Sequence, residues 1–120
     1  MNYIKNEYIK NEYTIENKFS KLLWENYINK IILKGLMTKS EYRKMGYGTA
    51  IMNEFLKDSS NIKKDIEIYV HPFDIWGNFE GKNGMLTLGE LEKFYGKFGF
   101  VVDHRTNDGY PIMIKRSNDI

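Results

Sequence analysis

Two stretches of helical periodicity interrupt a chain whose other apolar residues come in short, strand-like runs, and that ordering limits the folds open to it. The first helical stretch opens at Gly48: Ile51, Met52, Phe55 and Leu56 recur at spacings of one, three and four, with Asn53, Glu54 and Lys57 between them. That is the pattern of an amphipathic helix, ending near "DSSN". The second is "TLGELEKFYGKF", in which Thr87 and Glu90 stand three apart as a capping box and Gly99 closes the helix. Between the two, "DIEIYV" alternates, with Ile66, Ile68 and Val70 on one face, Glu67, Tyr69 and His71 on the other, and Pro72 as the stop.

Ahead of the first helix, "KFSKLLWENYINKIILKGLMT" holds two apolar runs, Leu22 to Trp24 and Ile28 to Met37. They read as a β-hairpin turning near Glu25 to Asn29, with a single amphipathic helix over 16 to 33 as the alternative. The segment "YIKNEYIKNEY" repeats with a period of five residues, which suits neither helix nor strand. Two copies are too few for a repeat architecture, so residues 1 to 20 are expected to be an arm or an edge strand ahead of a single domain over 21 to 120. After the second helix, "FVVDH" and "YPIMIKR" read as strands around "RTNDG", where Asp108-Gly109 favours a hairpin. "FDIWGNFEGKNG" is expected to be a loop that packs through Trp76 and Phe79. The order is strand, strand, strand, helix, strand, helix, strand, strand, an α+β chain with a mixed sheet.

Composition narrows the chemistry. At 120 residues, 42% hydrophobic, with a net charge of +2, the chain is sized and composed for one folded core. It has no cysteine, which excludes disulfides, thiolate metal sites and a Cys nucleophile, and its two histidines are too few for a zinc site. No run approaches a membrane span and "MNYIKNEYIKNEY" lacks the apolar block of a signal peptide, so a cytoplasmic address is expected. Residues 1 to 64 carry a net +5 (twelve basic, seven acidic) against −3 (six basic, nine acidic) over 65 to 120, an asymmetry able to attract an anion to the first half. The mild overall charge does not supply the basic aromatic face of a nucleic-acid binder.

"EYRKMGYGTA" places Arg43 three residues before Gly46, with Gly48 two further on, where the first helix begins. The first N–H groups of a helix lack internal partners and point outward at its positive end, and a bare backbone there lets an anion approach them. The dinucleotide fingerprint and the P-loop are both absent, since neither G-x-G-x-x-G nor Gly-Lys-Ser/Thr occurs here.

"LMTKSEYRKMGYGTAIMNEFL" resembles the acyl-CoA-binding segment of the GNAT N-acetyltransferase superfamily, whose R/Q-x-x-G-x-G/A reads here as Arg43-Lys44-Met45-Gly46-Tyr47-Gly48. "LEKFYGKFGF" is similar to the same family's later helix and its Gly-Phe ending, here Gly99-Phe100. The resemblance covers residues 28 to 116. It implies a GNAT-like, mostly antiparallel mixed sheet flanked by two main helices, without the helices that family members carry between their first two strands.

By position, the resemblance implies that the backbone of Lys44, Met45, Gly46, Tyr47, Gly48 and Thr49 holds the pyrophosphate of acetyl-CoA as co-substrate, with Arg43 near its phosphates. Leu36, Met37 and Thr38 would pair with the pantetheine arm, and Tyr95 would be the general acid. A phenol's reference pKa of about 10 is close to that of an alkyl thiol, which suits it to protonate a departing thiolate. Glu67, Tyr69, His71 or water would take the amine proton. The family's usual asparagine at the start of the later helix would fall at Leu88, a departure that removes one cofactor or water contact.

An uncovered acceptor side implies a protein lysine or protein N-terminus as acceptor. The short architecture resembles the miniature acetyltransferases of phages and mobile elements, one group of which acts as anti-CRISPR proteins. The expected protein is a monomer or homodimer that binds neither membrane nor nucleic acid. The competing reading is a catalytically silent module of the same fold that inhibits a partner by contact.

Overall fold

In the computed structural model, which describes residues 4–9, 12–38, 46–70 and 87–117, the expected hairpin forms from two strands. These are the third and fourth in chain order, β3 (Ser20–Asn26) and β4 (Lys30–Thr38). The Tyr27 N–H closes the turn on the Lys30 carbonyl at 2.9 Å, so the alternative helix over 16 to 33 does not occur. Ahead of them lie two strands where an arm or one edge strand was expected: β1 (Ile4–Ile9) and β2 (Glu12–Glu16). They pair antiparallel, Ile4 opposite Glu16 and Glu7 opposite Tyr13, so the duplicated segment supplies all of β1 and the start of β2. The remaining elements are α1 (Tyr47–Ser59), β5 (Asp65–Tyr69), α2 (Leu88–Gly96), β6 (Val101–Arg105) and β7 (Pro111–Lys115). The strands make one seven-stranded sheet in the order β1-β2-β3-β4-β5-β7-β6. Every pairing is antiparallel except β4 with β5, which α1 connects as a crossover.

Directly opposed residues share a sheet face, and following those pairs across the sheet locates the core. Ile15 faces Leu22, Trp24 faces Leu33, Ile31 faces Ile66, and Ile68 lies between Leu33 and Met113. All of them are buried, and they form one cluster with Ile51, Met52 and Phe55 of α1 and with Tyr95 and Phe100. The Trp24 ring meets Phe55 edge-on at 5.6 Å and stacks on Tyr13 at 4.6 Å. α2 lies over the same face, for its Glu92 accepts from Arg105 at 2.9 Å, and Arg105 opposes Pro111, two residues before Met113 on β7. Burying each of these large apolar side chains stabilises by about 1.5–3 kcal/mol before chain entropy is set against it.

α2 starts where its sequence signature puts it. Thr87 Oγ1 accepts from the Glu90 N–H at 3.3 Å, and a Glu90 carboxylate oxygen accepts from the Thr87 N–H at 3.0 Å. The last residue of α2 is Gly96, with Lys97 as the C-cap, three residues before the glycine expected to close it. Gly99 follows in a left-handed conformation, φ 94°, where a Cβ would stand 2.7 Å from Lys115 Nζ. The expected turn between β6 and β7 is closed by Thr106, whose N–H bonds to the Tyr110 carbonyl and whose carbonyl accepts from the Gly109 N–H, each at 2.9 Å. Pro72, and the loop expected to pack through Trp76 and Phe79, lie outside the described residues.

Candidate active site

The two central strands run together for only part of their length. Lys30, Ile31, Ile32 and Leu33 of β4 oppose Asp65, Ile66, Glu67 and Ile68 of β5, and there the parallel ladder stops. β5 continues along β7, with Tyr69 opposite Ile112 and the Val70 N–H bonded to the Pro111 carbonyl at 3.0 Å. β4 continues along β3, with Gly35 opposite Leu23, Leu36 opposite Leu22, Met37 opposite Lys21 and Thr38 opposite Ser20. The register slips where they part: Trp24 opposes Leu33 while Leu23 opposes Gly35, which leaves Lys34 as the extra residue of a bulge. A bulge bends its strand and sharpens the twist. Among the described residues no strand pairs with the far edge of β4 from Lys34 to Thr38.

The first turn of α1 stands at the end of that edge. Tyr47, its first residue, stacks on Phe19 with ring centroids 4.3 Å apart, and Phe19 immediately precedes the Ser20 that pairs with Thr38. Gly46 is the N-cap, in the left-handed region at φ 86°, and a Cβ there would meet nothing within 4 Å. Glycine is therefore required by the dihedral and by any outside group that approaches, not by crowding within the chain. α1 has no side-chain cap and no acidic residue in its first turn, whereas α2 has both. The first turn of α1 thus contributes no carboxylate of its own to the positive end of the helix. Met37 is buried, Leu36, Tyr47 and Gly48 are half-buried, and Gly46 and Thr49 are exposed. Arg43, Lys44 and Met45 lie outside the described residues, as does His71.

Tyr95 is the buried side chain of α2, 4% exposed, with its ring edge-on to Phe94 at 5.3 Å and to Phe100 at 6.1 Å. Desolvation raises its pKa well above the ordinary phenol value, so the hydroxyl keeps its proton at neutral pH. It belongs to the same cluster as Ile68, the last β5 residue in the β4 ladder, and Val70, the residue after β5. Glu67 and Tyr69 project from the opposite face. Glu67 pairs with Lys30 at 3.3 Å, and Tyr69 is 39% exposed. Tyr95 and the two described base candidates, Glu67 and Tyr69, thus lie on different faces of the sheet. Leu88, at the expected asparagine position, packs half-buried against the core. No local signal marks Phe19, Lys34 or Tyr110, since a stacking partner, a bulge and a cross-strand neighbour all depend on pairings between distant segments.

A strand pair that parts beside an uncapped helix, within this strand order, is the fold of the GNAT N-acetyltransferases, and comparison with solved structures gives the same answer. The chain superposes on the anti-CRISPR protein AcrVA5 with a TM-score of 0.66 at 15% identity, covering 87% of this chain and 97% of that one. The PaiA N-acetyltransferase of Thermoplasma acidophilum, in complex with coenzyme A, matches with a TM-score of 0.60 at 23% identity over 88% of this chain. Tetrahymena GCN5 matches at 0.65 and 15% identity, over 94% of this chain and 72% of its own. The chain spans almost the full length of AcrVA5 but only 59% of PaiA. No family model and no curated protein sequence matches it.

Proposed function

We propose that this protein is an acetyl-CoA-dependent N-acetyltransferase acting on an amine of another protein, a lysine or an N-terminus. The observation that carries the proposal is the edge of β4 beyond Leu33, with which no strand pairs among the described residues, running toward the end of α1 that has no side-chain cap. An extended amide-bearing arm can bond to that edge as a strand would, while a diphosphate sits against the first N–H groups of the helix. Lys44 through Thr49 would hold the diphosphate with Arg43 beside it, and Leu36 to Thr38 would hold the arm. The neutral amine would attack the thioester carbonyl and pass its surplus proton to Glu67, Tyr69, His71 or water; the carbon–sulfur bond then breaks, the departing thiolate takes the proton of Tyr95, and Tyr95 recovers a proton from solvent. Burial keeps the phenol protonated before the step begins and also makes it a weaker acid than a free phenol, so its match to a thiol depends on bound substrate changing those surroundings.

The acceptor side supports a macromolecular substrate, because both described helices cover the other face and none lies between the first strands. The near-complete overlap with AcrVA5 supports a role as a phage or mobile-element inhibitor of host defence.

The test mixes the purified protein with labelled acetyl-CoA and candidate acceptor proteins, and compares wild type with Tyr95→Phe. Transfer of label is expected, with kcat in the variant lowered by about 10²–10⁴-fold and little change in acetyl-CoA affinity. Acetyl-CoA at a hundred times its Kd should stabilise the fold by about 2.7 kcal/mol. Stabilisation without transfer to any acceptor would favour a silent inhibitory module, and neither effect would remove the acetyltransferase reading.

A further inference from the structure

We propose that Lys34 is a self-acetylation site: with acetyl-CoA bound, its side-chain amine takes the acetyl group held by the same chain. This rests on the acetyltransferase reading above. With the diphosphate at the first turn of α1 and the arm along Leu36 to Thr38, the arm runs back along β4, and its thioester end falls beyond Leu36, at Gly35 and Lys34. Lys34 is the first β4 residue past the ladder with β5, which ends at Leu33, and it is the extra residue of the bulge against β3. The other lysine of β4, Lys30, lies inside that ladder and pairs with Glu67 at 3.3 Å. It stands about 13 Å back along the strand, at about 3.3 Å per residue.

Lys34 Nζ lies 3.7 Å from a Glu25 carboxylate oxygen. Glu25 opposes Ile32, and Ile32 opposes Glu67, so Lys34 projects from the face of the base candidates and not from the face of Tyr95. In that pair the ammonium leans over β3. A lysine side chain 48% exposed loses little on leaving so long an ion pair, and rotation of its own stem carries the nitrogen across β4 toward the thioester. The tether then keeps the amine beside the acyl carbon at a high effective concentration. The ammonium first gives up a proton to water. The neutral amine attacks the thioester carbonyl, a carbon–nitrogen bond forms as the carbon–sulfur bond breaks, and the surplus proton on nitrogen also passes to water. The thiolate takes a proton from Tyr95, which recovers one from solvent. The net products are an acetylated lysine, a free thiol and one proton.

The test incubates the full folded chain with acetyl-CoA and no other protein, and follows acetyl occupancy at Lys34 and Lys30 by peptide mass mapping. Lys34 is expected to react at least about tenfold faster than Lys30, at a rate that does not change when the protein is diluted at fixed acetyl-CoA. Unfolding the chain in urea should bring the two rates together. Lys34→Arg, first checked for an unchanged melting temperature, should lose the acetyl mass that wild type gains. Equal rates at the two lysines in the folded chain overturn the proposal, as does a preference for Lys34 that survives unfolding. A rate that rises in proportion to protein concentration overturns it too, because one copy would then be modifying another, and so does a Lys34→Arg variant that gains as much acetyl mass as wild type. Wild type that is stabilised by acetyl-CoA yet stays unmodified at Lys34 overturns this site while leaving the acetyltransferase reading intact. Wild type that is not stabilised by acetyl-CoA overturns both.

Discussion

Thr14 shows how closely single side chains are constrained in this sheet. It is fully buried on β2, opposite Leu23 and on the face away from Trp24, and its hydroxyl has no hydrogen-bond partner. A buried donor without an acceptor forfeits its hydration and gains nothing in return. Thr14→Val keeps the shape and the β-branch while removing that group, so it should raise the unfolding free energy by about 1 kcal/mol, read from urea denaturation at constant m-value. Gly46 was legible as a special residue from its spacing alone. Its structure gives the physical reason, a left-handed dihedral with open space where a side chain would be. Tyr95 could be located from the sequence, but its burial and the resulting hold on its proton could not, because they arise from Phe94, Phe100 and the sheet beneath.

The two helices differ in how they begin. α2 is fixed by a reciprocal pair of hydrogen bonds between Thr87 and Glu90, both exposed, and Thr87→Ala should lower stability by about 1 kcal/mol, measured by thermal or urea unfolding. α1 offers no comparable cap to remove, which marks its first turn as a place where stability has been left unclaimed. Both helices were legible, since apolar spacing and a capping box are local signals. The alternation of β5 was legible for the same reason, as was the strand character of β7. The β1–β2 hairpin was not, because Lys, Asn and Glu dominate the repeat and its strand character comes from pairing, Tyr13 stacked on Trp24 and Ile15 against Leu22. The bulge at Lys34 was invisible for a related reason: a register slip is a relation between two strands and belongs to neither sequence alone.

Across the whole molecule, the last described residues are tied to the start of β5 at Asp65. Its carboxylate accepts from the Ser117 N–H at 2.9 Å and from Arg116 at 3.1 Å, and these bonds hold its pKa below the ordinary carboxylate value. A carboxyl more acidic in the folded than in the unfolded chain stabilises the fold above the unfolded pKa, and that contribution disappears as pH falls through the folded value. Stability should therefore decline as pH falls through and below the ordinary carboxylate range, and Asp65→Asn should flatten part of that decline in a urea titration at each pH. The effect should be modest, because the side chain is 39% exposed.

The sheet order itself could not be read from the sequence, which gave the elements but not the crossover that sets β4 beside β5. Yet that adjacency, ending at Leu33 and Ile68, determines how a guest would be received. Since the edge beyond that point holds no strand of its own among the described residues, an extended chain could add main-chain bonds without first breaking any. The protein's half of the geometry is set in advance, so the loss of conformational freedom on docking falls on the guest.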